Sequence, residues 1–257
     1  MDFVKLVKET QPAQGQVALF WLGQAGFLIK TASGRTIAID PYFTDHVRYT
    51  LNDIGFKRLT PALCGADEIE FDVLLISHEH GDHFDTEAIG PMMANGKTQV
   101  YTNTPSAVEM EKMGLDMSRI HVLKKGEKVD LLGECSLLPV DCDHGELAPE
   151  ALGFMMDFGH ARIYYAGDTA LTYDRLTVPM EMKPEVAILP INGAFGNLDG
   201  YQAAEYAGKL GAKKCVPCHF WTFPLHHGDP QQIIDSIGEK APDCELNILC
   251  QGEFILV

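Results

Sequence analysis

The sequence ISHEHGDHFD, Ile76–Asp85, carries the strongest indication of the fold. It follows the apolar run FDVLL, which is typical of a buried strand, and it ends in Asp85, a favourable N-cap for a helix over TEAIGPMMANG. The pattern therefore predicts a turn between a strand and a helix, which Gly81 allows to be tight. The potential metal ligands on this turn are His78, His80, Asp82 and His83.

This dense set of nitrogen and oxygen donors suits a borderline metal ion such as Zn²⁺. Because so short a loop can hardly direct four side chains at one ion, the pattern favours two ions. His78 and His80 would face one, and Asp82 and His83 the other. The alternative is a polar surface loop that happens to contain histidines. The metal interpretation requires further ligands from elsewhere in the chain.

The composition is that of a globular protein, since 46% of the 257 residues are hydrophobic and 22% are charged. We predict a single domain over residues 1–257. We also predict a cytoplasmic location, because the seven cysteines lack the spacing of a secreted disulfide scaffold. No apolar run approaches the roughly 20 residues of a spanning helix, so a membrane partner is not predicted. The net charge of −16 disfavours nucleic acid, whereas a small-molecule substrate and a homo-oligomer stay open.

The first half is predicted to begin with three antiparallel strands, QVALFWL, FLIKTA and RTIAID. Asp40 ends the third strand, where it either accepts a hydrogen bond from a ligand histidine or forms an Asp-Pro turn. Residues 42–70 show no sustained periodicity and are predicted to be an inserted, lid-like loop. After the metal turn, Thr104 is predicted to cap a helix over PSAVEMEKM, and His121 is interpreted as a structural sheet histidine.

The second half repeats the alternation of strands and helices, which predicts an α/β fold with two similar βα halves in one domain. Its strands supply the further ligands that the metal turn requires. Each candidate follows an apolar strand and precedes a loop, so we expect all of them to converge on one sheet edge. Any one of them alone could be structural. They are His144, Asp168 and His219.

The full pattern, His78-x-His80-x-Asp82-His83 followed by His144, Asp168 in AGDT, and His219, resembles the metallo-β-lactamase superfamily. The resemblance implies a four-layer αββα sandwich with its metal site at one edge of the sheets. The segments WLGQAGF, DPYF and VPCHFW are also similar to the L-ascorbate-6-phosphate lactonase-like branch. By this resemblance, His78, His80 and His144 would hold one metal, Asp82, His83 and His219 the other, and Asp168 would bridge.

The second ligand position carries His80, whereas the di-iron, oxygen-reducing relatives have glutamate there, and this favours hydrolysis over redox chemistry. The hypothesis is that two divalent ions, preferably Zn²⁺ with Mn²⁺ or Fe²⁺ as alternatives, provide a hydroxide that attacks a lactone or ester carbonyl. A phosphorylated sugar acid is one candidate substrate. Asp82 is expected to orient the attacking water.

Other polar and aromatic residues are candidates for contacting the substrate. His226 and His227 in WTFPLHHGD would donate a proton to a leaving group or bind substrate, with a surface pair as the alternative. Ordinary packing or turn formation is the alternative for the remaining candidates. These are Gln24, Tyr42, Asn192 and Trp221.

Two other functions use the same residues. A phosphodiesterase would need the same pair of metals, although the acidic charge argues against a polymeric nucleic acid. A non-catalytic metal-binding module is the third class. It is disfavoured because structural metal sites are usually closed by four protein ligands.

Overall fold

A computed structural model describes residues 2–257 and contains, within them, two seven-stranded mixed sheets accompanied by helices. The described chain divides into two compact units, one formed by the residues up to Leu123 with Cys250–Val257 and the other by Lys124–Leu249. The single domain over residues 1–257 stays a prediction. In the described part, no helix has the length and apolar character needed to cross a membrane.

The elements are numbered in chain order. The strands are β1 Val17–Gly23, β2 Gly26–Thr31, β3 Thr36–Ile39, β4 Val73–Ile76, β5 Gln99–Thr102, β6 Ile120–Val122, β7 Val129–Leu131, β8 Cys135–Asp141, β9 Leu152–Asp157, β10 Arg162–Tyr165, β11 Val186–Pro190, β12 Lys214–Cys218, β13 Glu245–Leu246 and β14 Phe254–Leu256. The α-helices are α1 Phe3–Glu9, α2 His46–Leu51, α3 Ile89–Met92, α4 Thr104–Lys112, α5 Thr177–Met182, α6 Gly200–Leu210 and α7 Pro230–Lys240. Two short 3₁₀ turns are also described, Ile54–Phe56 and Met117–Arg119.

The sheet of the first unit has the strand order β14-β1-β2-β3-β4-β5-β6. Strands β14, β1, β2 and β3 pair antiparallel, as the predicted meander requires, and β3 to β6 pair parallel. Every residue of β1 to β4 is buried, because both faces of these strands are covered. The ends of β3, β4 and β5 therefore lie next to one another and carry polar residues at one edge of a rigid sheet.

The sheet of the second unit has the order β13-β12-β11-β10-β9-β8-β7. Strands β7 to β10 pair antiparallel and β10 to β13 pair parallel, so the switch in direction falls at β10 as it falls at β3 in the first sheet. The predicted α/β class with two similar halves is confirmed. Helix α6 packs against α7 in this unit, and its start is fixed by a capping box between Asp199 and Gln202.

Two helix starts differ from the prediction. Asp85 caps the turn that follows it, since its Oδ1 accepts from Glu87 N and Ala88 N at 3.2 Å, but it does not begin a long helix. Its carboxylate also accepts hydrogen bonds from Phe43 N at 3.0 Å and from Thr44 N and Oγ1 at 2.8 Å. A turn follows Asp85, and α3 starts only at Ile89. Helix α4 is capped by Asn103, whose side chain accepts from Ser106 N at 3.1 Å, and Thr104 is its first residue. Asn103 and Thr104 are both favourable N-cap residues, so the predicted cap of α4 was wrong by one position.

Candidate metal centre

In the first unit, Asp40 organises the turn that holds the predicted ligands. Asp40 is fully buried with a left-handed φ of 43°, and it accepts hydrogen bonds from Ser77 N at 2.7 Å and Ser77 Oγ at 2.5 Å. Its Oδ2 also lies 2.7 Å from Nδ1 of His83. Because a carboxylate only accepts, Nδ1 donates and Nε2 of His83 carries the lone pair, which is the tautomer that a metal ligand needs.

The four side chains of the turn form two close pairs. Nε2 of His78 lies 3.0 Å from Nδ1 of His80, and Oδ2 of Asp82 lies 3.9 Å from Nε2 of His83. Two ligands of a tetrahedral zinc ion lie about 3.3 Å apart, given bonds of about 2.0–2.1 Å. The two pairs are those that the sequence assigned to separate ions. The donor set and its spacing therefore fit metal ions, and the ligand roles themselves stay predictions.

Gln24 and Asn103 support this turn from neighbouring strand ends. Gln24 Nε2 donates to Asp82 Oδ2 at 2.8 Å, and Asn103 Nδ2 donates to Glu79 Oε2 at 2.9 Å. Gln24 is buried with a left-handed φ of 52°. The structure thus places Gln24 against a predicted ligand, although the sequence suggested it as a substrate contact. Asn103 was not singled out from the sequence, because its signal is that of an ordinary helix cap.

The inserted segment is anchored beside the metal turn. A Cβ on Gly81 would lie 2.9 Å from Cδ2 of His46 and 3.2 Å from Cγ2 of Val47, so α2 packs directly on that glycine. Tyr42 is buried at the start of the insertion, with the Arg58 guanidinium 4.8 Å from its ring centroid, and burial raises its pKa well above the ordinary value. Tyr42 therefore lies in the interior of this unit. A lid function for residues 42–70 stays a prediction.

In the second unit, Asp168 lies between the two other histidines predicted as ligands. Its Oδ2 is 3.6 Å from Nε2 of His144, and its Oδ1 is 3.3 Å from Nε2 of His219. All three side chains are buried, and the backbone of His219 has a left-handed φ of 61°. Each oxygen of one carboxylate thus faces a different imidazole nitrogen. This is the arrangement expected of a carboxylate that contacts two ions.

Asp143 links the loops that carry His144 and Asp168. The Thr172 hydroxyl donates to Asp143 Oδ2 at 2.6 Å and Arg175 Nη1 donates to Oδ1 at 3.0 Å, while Asp143 N donates to Thr169 Oγ1 at 2.9 Å. The hydrogen bond from Thr172 and the neighbouring Arg175 lower the pKa of Asp143 below its usual value. The only signal in the sequence for Asp143 is its place at a strand end beside the predicted ligand His144. Its contacts with residues 29 and 32 positions later are visible only in the structure.

His226 and His227, adjacent in sequence, have different environments in the structure. His226 is half-buried, its ring centroid lies 4.9 Å from Phe195 and 5.8 Å from His219, and its Nδ1 is 3.3 Å from Nδ2 of Asn192. His227 is exposed, and its carbonyl accepts a hydrogen bond from Trp221 N at 2.6 Å. His226 and Asn192 therefore lie together beside a predicted ligand, whereas the side chain of His227 faces solvent. Trp221 is exposed on the same loop.

Comparison with known proteins agrees with this fold and donor set. Residues 18–219 match the domain family described as beta-lactamase superfamily domain. A UPF0173 metal-dependent hydrolase from Hyperthermus butylicus is 28% identical over 91% of this chain and 96% of its own length. A metallo hydrolase from Ignicoccus hospitalis has a TM-score of 0.72 at 24% identity, with 94% and 98% of the two chains covered. An isothiocyanate hydrolase from Delia radicum gut bacteria has a TM-score of 0.75 at 17% identity, with 93% and 98% covered.

The chain belongs to the beta-lactamase superfamily, since the family match covers most of its length. The predicted superfamily and fold class are confirmed, and so is the predicted enzyme class of metal-dependent hydrolase. The lactonase-like branch, the kind of metal and the number of ions stay predictions.

Proposed function

We propose that the chain is a binuclear hydrolase that opens a lactone or cleaves a carboxylic ester. The observation that carries this proposal is the position of Asp168, whose two oxygens lie 3.6 Å from His144 and 3.3 Å from His219. A carboxylate that faces a different imidazole with each oxygen is able to serve two ions. The two ligand pairs of the first unit support the same number of ions.

The proposed ligand sets follow the resemblance. His78, His80 and His144 would hold one ion, Asp82, His83 and His219 the other, and Asp168 both. Zn²⁺ is the preferred ion, and Mn²⁺ or Fe²⁺ would also accept these imidazole and carboxylate ligands. When bound, two such ions supply the Lewis acidity that lowers the pKa of water and polarises a carbonyl oxygen.

The side chains of this protein contribute orientation and hydrogen bonds. Asp40 keeps His83 in the tautomer with its lone pair on Nε2, and Gln24 fixes Asp82 through a 2.8 Å hydrogen bond. Asp82 would accept a proton from the attacking water. His226, held by Asn192 and Phe195, would contact the substrate beside His219, and we assign no such role to the exposed His227.

A lactone is preferred over a phosphodiester because of the sequence similarity of WLGQAGF, DPYF and VPCHFW to the lactonase-like branch. A small-molecule substrate and a cytoplasmic location are parts of the same proposal. Within residues 2–257 four of the seven cysteines are buried and no disulfide is described, as expected in a reducing compartment.

The proposal is tested by turnover of the Zn²⁺- and Mn²⁺-loaded protein on lactones, carboxylic esters and a simple phosphodiester. We expect lactone or ester hydrolysis that His80→Ala abolishes and that His121→Ala retains, because His121 on β6 contacts two residues of β5, with a 2.9 Å hydrogen bond to Gln99 and its ring stacked on Tyr101. Cleavage of the phosphodiester alone would assign the chain to the second function class. Tight metal binding without turnover of any of these substrates would favour a non-catalytic module.

A further inference from the structure

Exposed aromatic side chains flank the predicted ligand His219 in the second unit. Trp221 is 58% exposed and Phe195 is 50% exposed. Phe195 packs edge-on against His226, which in turn lies 5.8 Å from the ring of His219. Leu225 is exposed on the same loop as Trp221. Large apolar side chains are thus presented to solvent directly beside a metal ligand.

The backbone that presents these two aromatic residues is strained. Trp221 has a φ of 58° and Phe195 a φ of 53°, a conformation that bulky residues rarely adopt. The surrounding structure enforces it, since Trp221 N donates to the His227 carbonyl and the loop of Phe195 is closed by Gly193 N donating to Leu198 O at 2.9 Å. Strain that holds an apolar side chain in water does not stabilise the fold. Such strain is characteristic of binding sites.

The first unit has a comparable feature next to its own ligands. Tyr49 on α2 is 66% exposed and Ile54 in the following 3₁₀ turn is 65% exposed, with Leu51 between them also exposed. Helix α2 packs on Gly81, between the ligand pairs of the metal turn. In each unit, taken by itself, exposed apolar side chains therefore adjoin the predicted ligands.

The charges of these segments do not favour an anionic substrate group. The loops 191–199 and 219–229 contain no lysine or arginine. Arg48 on α2 lies 3.5 Å from Asp45, and Arg175 lies 3.0 Å from Asp143. Arg58 donates to the carbonyl oxygens of Tyr42 and Thr60. Lys57 after the 3₁₀ turn is exposed, but the two loops that flank His219 offer a phosphate group no lysine or arginine of their own.

We infer that the substrate is a neutral lactone or ester with an apolar alkyl or aryl group, which packs on Trp221 and Phe195, and not a phosphorylated sugar acid. This inference rests on the proposed function, because it names the group attached to the carbonyl that the site attacks. Burial of apolar surface on the two rings would supply the affinity.

The test uses γ-lactones of increasing alkyl chain length, together with a phosphorylated aldonolactone, on the metal-loaded full chain. We expect kcat/KM to rise about fourfold for each added methylene until the apolar surface is covered, as burial of a methylene predicts. The phosphorylated lactone should be the poorest substrate. Trp221→Asn and Phe195→Asn should flatten the dependence on chain length, since asparagine tolerates the left-handed backbone and removes the ring.

Ile234→Ala is the matched control, because Ile234 is 47% exposed on α7 and belongs to neither loop, so it should leave the dependence unchanged. A flat series, or a preference for the phosphorylated lactone, overturns the inference while the proposed function stands. Absence of turnover on every lactone and ester refutes the proposed function itself. A dimer in light scattering that Trp221→Asn dissociates would assign the aromatic surface to an interface between copies and would also overturn the inference.

Discussion

Replacing Asp40 by asparagine should weaken metal binding through a residue that is not itself a ligand. Asp40 accepts three hydrogen bonds, from Ser77 N, Ser77 Oγ and His83 Nδ1, at 2.7, 2.5 and 2.7 Å. Asparagine keeps one acceptor oxygen and turns an NH₂ group toward the other donors. To relieve that conflict, His83 must move its proton to Nε2, which removes the lone pair intended for the metal.

Two magnitudes follow from these contacts. Loss of such a partner of a ligand histidine typically lowers metal affinity about 10- to 100-fold. The metal-free protein should lose about 1–3 kcal/mol of its free energy of unfolding, because buried donors are left without an acceptor. Competition with a fluorescent chelator gives the Zn²⁺ affinity, and urea denaturation of the metal-free protein gives the stability.

Asp72→Asn is the matched control for this measurement. Asp72 precedes β4, and its carboxylate accepts from Thr36 N at 2.9 Å and from Arg35 Nη1 at 2.6 Å. Like Asp40 it secures β3, but none of the hydrogen bonds described for it involves a histidine predicted as a ligand. Its loss should lower stability and leave Zn²⁺ affinity unchanged. If folded Asp40→Asn protein binds both ions as tightly as the wild type, the tautomer argument is refuted.

Further outcomes are expected at other sites. Gly81→Ala should lower the free energy of unfolding by about 1–3 kcal/mol, because its Cβ would lie 2.9 Å from His46. Gly90→Ala is the control, since no atom lies within 4 Å of the new Cβ. Equal unfolding curves for the two variants would contradict the packing of α2. Asp143→Asn should destabilise the protein at neutral pH. Because the pKa of Asp143 is lowered in the folded state, the difference in free energy of unfolding between wild type and variant should persist above the ordinary pKa of 3.8 and shrink as pH falls below it. Urea denaturation across that pH range measures this difference. A difference that does not depend on pH would argue against ionic stabilisation. His226→Ala should lower kcat/KM on the lactone that the enzyme hydrolyses, whereas His227→Ala should not, and a greater loss with His227→Ala would reverse the assignment.

The parts predicted from the sequence are those with a strong local signal. The three-stranded meander and the alternation of strands and helices follow from apolar periodicity, and both are present in the structure. Candidate ligands were found because histidine and aspartate directly after an apolar strand are unusual. Because a strand end holds these residues on a rigid sheet, the residue types at the strand ends are enough to indicate the candidate metal centre.

The parts that escaped prediction depend on contacts between distant residues. Asp85 does cap the local turn at Ala88 N, as its sequence position predicts, but its carboxylate also accepts a hydrogen bond from Thr44, 41 positions earlier, and thereby secures the insertion. Tyr42 has the character of a surface aromatic and is buried under the Arg58 guanidinium. At these positions tertiary hydrogen bonding and packing override local propensity, and a short segment of sequence does not reveal such contacts.

The shared strand order of the two sheets gives their edges corresponding positions. Counting from the strand where direction switches, the loop of Gln24 after β1 corresponds to that of His144 after β8, and Asn103 after β5 corresponds to His219 after β12. At these two pairs of positions the first sheet carries amides that hold other residues in place, and the second carries imidazoles predicted to be ligands. Substitution should therefore be tolerated unequally within each pair, with amide-to-amide exchange permitted at Gln24 and Asn103 and almost no substitution permitted at His144 and His219.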